Sequence, residues 1–315
     1  MAATNPPDPP RIAGAEALDE AAALLAAGGI VAVPTETVYG LAARADGDAA
    51  VAAIFRAKGR PSFNPLIVHV AEVAAAERLA VFDARASALA ARFWPGPLTL
   101  VTPRRADARL APAVSAGLPT VALRCPAHPL LRALLARCDF PLAAPSANRS
   151  GAISPTTASH VAASLGHAVP LILDGGPCVA GLESTIVAVR EQGWSLLRPG
   201  PIDQTAIAAV LGEQQRPGRP GGIEAPGQLA SHYAPSKPLR LGATAAGGDE
   251  FVIGFGAVRG DASLSPGGDL AEAAARLYRC LWEAEAAPQP RIAVAPIPEH
   301  GIGAAINDRL RRAAA

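Results

Sequence analysis

Ile30-Val-Ala-Val33-Pro34-Thr-Glu-Thr-Val-Tyr-Gly40 decides how the rest of the chain is read. Four apolar residues make a short buried strand, and Pro34 ends it because its ring removes the donor that a ladder needs. Two hydroxyls (Thr35, Thr37), a carboxylate (Glu36) and a phenol (Tyr39) follow at once, where the ligand sites of open sheets lie. Upstream, residues 15–27 read as a helix closed by Gly28-Gly29. Downstream, the pattern predicts helices over 48–58 (Asp48 as N-cap), 84–93, 129–137 and 156–165, the last capped by Ser154 or Thr156. Strands are expected over 66–70, 98–102, 120–124, 142–144, 171–173, 185–189 and 194–197. Strands and helices mix without strict alternation, which favours an α/β fold with a mixed sheet over a regular barrel.

Half of the 315 residues are hydrophobic and the mean hydropathy is +0.24, enough for a large core in one domain or two. Residues 1–11 are Pro-rich with no apolar targeting core, and read as a disordered leader to a protein expected in the cytoplasm. No apolar run is long enough to span a membrane. Residues 12–211 form the larger unit. Residues 212–238 are rich in Gly, Pro and Gln and read as a linker, too long for an ordinary connection. Residues 239–315 give strands at 239–241, 251–255 and 292–295 with helices at 270–285 and 304–313, a small Rossmann-like domain. Lys and Arg total 28 against 27 Asp and Glu, and aromatics are 4% of the chain; that balance argues against tight autonomous nucleic-acid binding. The four cysteines are far apart and read as reduced thiols.

No phosphate loop, HExxH or GxSxG elbow is present. Gly254-Phe-Gly256-Ala-Val-Arg-Gly260 is one residue too long for a dinucleotide fingerprint and reads as a tight turn. What remains is polar clusters at the ends of apolar strands. Lys58-Gly-Arg60-Pro-Ser-Phe-Asn64 suits a rigid cationic loop able to clamp phosphates, and equally a helix C-cap; both can hold at once. Arg124 ends the apolar run Thr120-Val-Ala-Leu and needs an anion or water. Ala143-Ala144-Pro-Ser146-Ala-Asn148, Ser154, Asp174-Gly-Gly176, Glu183-Ser184-Thr185 and Arg198-Pro-Gly200 complete the set. His69, in an apolar strand, reads as a core histidine with a positioning role. Cations and hydroxyls without a nucleophile–base pair fit phosphoryl or nucleotidyl transfer, where positioning and charge neutralisation do most of the work.

Five of these stretches, 34–41, 57–69, 120–124, 144–148 and 183–187, resemble in order the YrdC-like domain of threonylcarbamoyl-AMP synthases. The likeness covers roughly residues 12–211, and the small domain resembles the C-terminal domain of the family's longer members. The resemblance implies a twisted mixed sheet with a large concave cationic cavity. It also implies a nucleotidyltransferase reaction: L-threonine, bicarbonate and ATP, normally with Mg²⁺, give threonylcarbamoyl-AMP and pyrophosphate. The product would pass to a tRNA threonylcarbamoyl transferase complex that modifies adenosine 37. Carried over by position, Lys58, Arg60, Ser146 and Asn148 are the expected catalytic residues. Arg60, Asn64, Thr120, Ser146, Ser154, Arg198 and Tyr233 would bind ATP, and Thr37, His69, Arg124, Ala144 and Ser184 would bind threonine. Metal ligands are not implied.

The linker departs from the family pattern. Pro226-Gly-Gln228-Leu-Ala-Ser231-His232-Tyr233-Ala-Pro235 keeps the His-Tyr-Ala-Pro core but lacks the Lys, Tyr and Arg before it, so no contacts carry over to Gln228–Ser231. Tyr233 is expected to act as a lid. Two other readings compete: a carbamoyl-adenylate-forming carbamoyltransferase of the hydrogenase-maturation type, and an RNA-binding module. The first would bring acylphosphatase-like and zinc-finger segments, for which the chain has no cysteine framework.

Overall fold

Period-two alternation along the strands sorts one large sheet into a helix-covered face and a face turned to the linker. The computed structural model describes residues 9–212, 223–245 and 247–315; most of the expected leader and the first half of the linker lie outside them. The strands are β1 Arg11–Ala13, β2 Val31–Val33, β3 Gly40–Arg44, β4 Ile67–His69, β5 Leu98–Pro103, β6 Thr120–Arg124, β7 Leu142–Ala143, β8 Leu171–Leu173, β9 Thr185–Arg190 and β10 Gly193–Arg198. They pair in the order β1-β8-β2-β3-β7-β4-β6-β5-β9-β10, with parallel and antiparallel neighbours mixed as expected.

Helices α1 Leu18–Ala26, α2 Asp48–Lys58, α3 Val73–Glu77, α4 Ala84–Phe93, α5 Pro112–Ser115, α6 Pro129–Leu135, α7 Ala158–Leu165 and α8 Gln204–Leu211 accompany this sheet. Leu98 and Leu100 of β5 join Val68, Leu123, Val187 and residues of α2 and α4 in the main core. The alternate residues Ile67, Val101, Ala122, Ile186, Ala188 and Leu197 form a second, smaller cluster on the other face. Each Val, Leu or Ile side chain so removed from water stabilises the fold by about 1.5–3 kcal/mol.

Local chemistry corrects two caps. Gly47, not Asp48, occupies the N-cap of α2, and Asp48 is the first helical residue. Gly59, with φ of 61°, ends that helix in the left-handed conformation a side chain resists, and turns the chain into the Arg60 loop. Thr157 rather than Ser154 or Thr156 caps α7, its hydroxyl accepting from the His160 N–H at 3.2 Å. Strand β3 was not expected: Leu41-Ala42-Ala43 is buried on both faces and carries no alternation to betray it. Strand β1 starts at Arg11, inside the expected leader, and pairs in parallel with β8.

The C-terminal unit has strands β11 Leu239–Leu241, β12 Glu250–Gly254, β13 Ala262–Ser263 and β14 Arg291–Val294, with helices α9 Leu270–Ala286 and α10 Gly303–Ala313. Its sheet is all parallel, ordered β11-β14-β12-β13, as a small Rossmann-like domain requires. Residues 254–260 form the expected tight turn, closed by reciprocal Phe255–Val258 backbone hydrogen bonds. The core of this unit takes in Val38, Ile153 and Leu182 from the large domain and Tyr233 from the linker. Among the described residues no helix is long and apolar enough to cross a membrane, and all four cysteines are free.

Candidate active site

Parallel pairing of β4 and β6 sets His69 beside Arg124, so both side chains stand on the linker-facing side of the sheet. The turn after β2 supplies their neighbours. Thr35 accepts the backbone N–H groups of Thr37 and Val38 at 3.0 and 3.1 Å, a tight hydroxyl-closed turn that aims Thr37 at the strand ends. The Arg124 guanidinium then donates to Thr37 Oγ1 at 2.8 Å and to the Gly96 carbonyl at 3.3 Å. Its Nη2 forms a buried ion pair with Glu36 at 2.7 Å. Glu36 is close in space but 88 residues back in the chain, so the anion that Arg124 needs is partly supplied by the protein itself. Burial would raise the Glu36 carboxyl, but the charge and hydrogen bonding of Arg124 hold it below its ordinary value. Burial, then the Arg124 charge, pushes His69 down to about 3, so its ring is neutral near pH 7.

The second cation group sits under the linker. Arg198, 4% exposed at the end of β10, donates through Nε and Nη2 to the Ser184 carbonyl at 3.1 and 3.0 Å and through Nη1 to Pro226 O at 3.2 Å. The Ser184 hydroxyl accepts from Arg198 Nη2 at 3.1 Å and shares a 2.7 Å hydrogen bond with Thr99 Oγ1. Arg60 folds back on its own loop, donating to the carbonyls of Asn64 (3.3 Å) and Pro65 (2.9 Å). Burial lowers it to about 10. Lys58 is also buried; its Nζ donates to the Ser146 and Asn148 carbonyls, tying the two motifs together. Burial first and the Arg60 charge second pull Lys58 well below its ordinary value.

Thr37, Arg60, His69, Arg124, Ala144, Ser146, Ser184, Arg198 and Tyr233, nine of the expected site residues, line one cavity, together with His232 and Glu183. The rest are placed otherwise. Lys58 and Asn148 lie behind the lining, Asn148 donating to the Arg149 and Ala152 carbonyls at 2.9 and 2.7 Å. Asn64 is 1% exposed and neither end of its side-chain amide has a partner among the described residues. Ser154 is turned away to Glu183, at 2.6 Å. Thr120 stands at the opposite end of β6 from Arg124, paired with Pro103, about 13 Å of strand away.

The large concave cavity expected from the sequence is reduced to about 40 Å³. That is room for a water or two. The linker fills the remainder: Ala225 is fully buried against Ile67, Ala122 and Ile186, and an Arg190–Glu224 ion pair at 2.8 Å anchors it. Gly227, with φ of 88°, passes where a Cβ would come within 2.5 Å of the Tyr233 hydroxyl and 2.9 Å of Arg198 Cδ. Gln228 accepts the Glu224 and Ala225 N–H groups at 2.7 and 3.0 Å, capping the linker's own turn and leaving the cavity wall to its neighbours. His232 lines the wall and is held neutral, lowered to about 3 by burial. The surviving His-Tyr-Ala-Pro core was the only sequence signal for it. Nothing in the sequence pointed to Glu36 as the partner of Arg124, or to residues of α9 and α10 beside the site.

A cleft at the ends of mixed strands, lined by three arginines, buried hydroxyls and a histidine held neutral, places the larger unit in the YrdC-like class of α/β domains. The Sua5/YciO/YrdC family profile, described as "Telomere recombination", matches residues 23–200, and the profile described as "Threonylcarbamoyl-AMP synthase, C-terminal domain" matches residues 202–315. The chain belongs to the threonylcarbamoyl-AMP synthase family. It is 39% identical to the threonylcarbamoyl-AMP synthase of Pyrococcus abyssi over 93% of this chain and 92% of that one. Against the threonylcarbamoyl-AMP synthase of Bacillus subtilis it is 47% identical, over 70% of this chain and 65% of the relative. The crystal structure of P. abyssi Sua5 complexed with L-threonine superposes with a TM-score of 0.89 at 36% identity, covering 96% of this chain and 97% of that one.

Proposed function

We propose that this chain is an L-threonylcarbamoyladenylate synthase, converting L-threonine, bicarbonate and ATP to threonylcarbamoyl-AMP and pyrophosphate. The observation that carries the reading is one cavity walled by two separate cationic groups, Arg124 at one end and Arg60 with Arg198 at the other. The first suits an amino-acid carboxylate, with Thr37 and neutral His69 as its neighbours; the second, where Arg198 holds Ser184, suits a triphosphate. Threonine's amine adds to the carbon of bicarbonate with loss of water, and a carbamate oxygen attacks the α-phosphorus. Pyrophosphate leaves toward Arg60 and toward Lys58, whose Nζ also donates to the Ser146 and Asn148 carbonyls. Preorganised charge carries most of such a transfer.

Two consequences follow from this assignment. ATP needs far more than about 40 Å³, so residues 223–228, which cover the sheet, leave it when nucleotide enters, while Tyr233 stays held against the C-terminal domain and closes over the nucleotide. Mg²⁺ is assigned to the nucleotide, whose phosphate oxygens supply its ligands, and no ligand of this chain is assigned to it. The adenylate is then consumed by a tRNA threonylcarbamoyl transferase complex in the cytoplasm. Pyrophosphate release tests the reading. It should require threonine and bicarbonate together; release driven by carbamoyl phosphate without threonine would assign the carbamoyltransferase reaction instead.

A further inference from the structure

We propose that Arg309, on α10 of the C-terminal domain, is a positioning residue for the nucleotide end of the cleft and acts through Tyr233. The proposal rests on the ATP-dependent reading above. Arg309 is 1% exposed and ranks among the largest fully buried side chains. Its Nε donates to Glu183 Oε2 at 2.7 Å, its Nη2 to the Pro199 carbonyl at 2.8 Å and its Nη1 to Asp308 at 2.6 Å. Glu183 immediately precedes Ser184, and Pro199 immediately follows Arg198. One guanidinium from the second domain therefore grips both chain segments that carry the Ser184–Arg198 hydrogen bonds. The same group lies 5.2 Å from the centre of the Tyr233 ring.

Tyr233 needs such support. It is a non-glycine residue with φ of 65°, a left-handed conformation that persists only when the surroundings enforce it. Tyr278 of α9, 5.9 Å from the Tyr233 ring, is the second wall of the slot, and its hydroxyl donates to Glu183 at 2.9 Å. Arg312 completes the hold, donating to Leu229 O at 2.6 Å and accepting from the His232 N–H at 3.1 Å. Among the described residues, none of the C-terminal domain lines the cavity itself. The domain reaches the site through this network and through its packing on Val38.

Fold stability alone does not call for the arrangement. Apolar side chains of similar volume serve a domain contact at least as well as a buried ion cluster, whereas the cluster fixes direction. Here the direction fixed is that of the linker's aromatic ring and of the Arg198 strand end.

The test is steady-state kinetics on the full chain with Arg309→Lys, Arg309→Met and Tyr233→Ala, singly and as Arg309→Lys/Tyr233→Ala. Lysine keeps a charge for Glu183 but cannot stack or reach Pro199 at the same time. Arg309→Lys should raise the ATP KM or lower kcat by about tenfold while the threonine KM stays within about threefold, and the double variant should be no worse than Tyr233→Ala, because coupled residues are not additive. Multiplied losses in the double variant, equal losses toward ATP and threonine, or unchanged ATP kinetics in Arg309→Lys would each overturn the proposal. Should Arg309→Met fail to fold, Arg309→Lys still decides it. Absence of threonine-dependent pyrophosphate release by the wild-type chain would instead sink the functional reading itself.

Discussion

The two ends of the cleft bind their arginines in different ways. Arg124 is surrounded by strands and the turns that leave them: Glu36, Thr37, Gly96 and, one strand over, His69. Arg198 is surrounded by chain that has to be brought to it, with Pro226, Gly227 and Tyr233 from the linker, and the linker in turn held from the C-terminal domain. The strand-built end is ready before any ligand arrives, so binding there costs little reorganisation. At the linker-built end the protein occupies its own site. Ligand affinity at that end is a difference between two occupants, and anything that unseats the linker changes it.

The largest expected effects lie where the phosphates would run. Arg60→Ala should lower kcat by roughly 30- to 1,000-fold, since losing one charge-assisted donor to a transferring group costs about 2–4 kcal/mol of barrier. Lys58→Ala should be as slow and also less stable, because it leaves the Ser146 and Asn148 carbonyls without their buried donor. Thermal melts beside kinetics separate the two variants. Near-normal rates in both would reduce residues 58–64 to a helix cap and its turn.

At the strand-built end, Arg124→Lys should raise the threonine KM by about 10- to 100-fold, the cost of a lost charged hydrogen bond, with the ATP KM little changed. Lysine cannot hold Thr37, Glu36 and a substrate carboxylate together. Threonine methyl ester used as readily as threonine would show that Arg124 answers to Glu36 alone.

The same contrast explains what could be read from the sequence. Strand-borne groups were legible because a polar residue at the end of an apolar run stands out: Arg124, Ser146 and Arg198 all fall on the cavity wall. Strand β6 runs from Thr120 to Arg124, as the apolar run ended by an arginine implied. Thr120 was carried over with its motif, yet it stands at the far end of that strand. Pairing across the chain was not legible. Glu36 meets Arg124, and Glu183 meets Arg309, across 88 and 126 residues, and no local pattern encodes such a meeting. Helix α10 reads as an ordinary amphipathic helix; the arginine on its buried face looks from sequence like any other. The filling of the cavity was equally hidden, because Gly-Pro-rich composition says that a segment lacks its own core and not where it will lie.

Acid should separate the two ends next. Each buries a neutral histidine with a value near 3, His69 under the sheet and His232 in the linker. Below pH 6.5 an unseated His232 takes up a proton that the seated ring refuses. Seating therefore weakens by about 1.4 kcal/mol per pH unit between 6.5 and about 3, and is unaffected above 6.5. His69 stands beside Arg124, whose charge opposes its protonation even when the linker lifts, so it answers to acid less readily than His232. Cleavage within residues 212–238 should thus quicken by about tenfold from pH 7.5 to 5.5 while far-UV circular dichroism is unchanged. His232→Asn should flatten the response, and simultaneous loss of linker protection and sheet signal would deny the two ends their independence.

Gln228 gives the smallest and most discriminating effect. Its amide oxygen accepts two backbone N–H groups of the linker, so its work is to close the turn that seats Glu224 and Ala225. It does not line the cavity. Gln228→Ala frees two donors that water can partly reach, costing the seated linker about 1 kcal/mol. Cleavage of the linker should rise about fivefold by the same figure, while the ATP KM moves by less than about threefold and, if it moves, falls, because the occupant being displaced is weaker. The threonine KM should not change, since the Arg124 end shares no partner with this turn. A rise of about tenfold in the ATP KM would mean that Gln228 swings onto the nucleotide once the linker has lifted. The linker would then supply a binding group at that position as well as a cover.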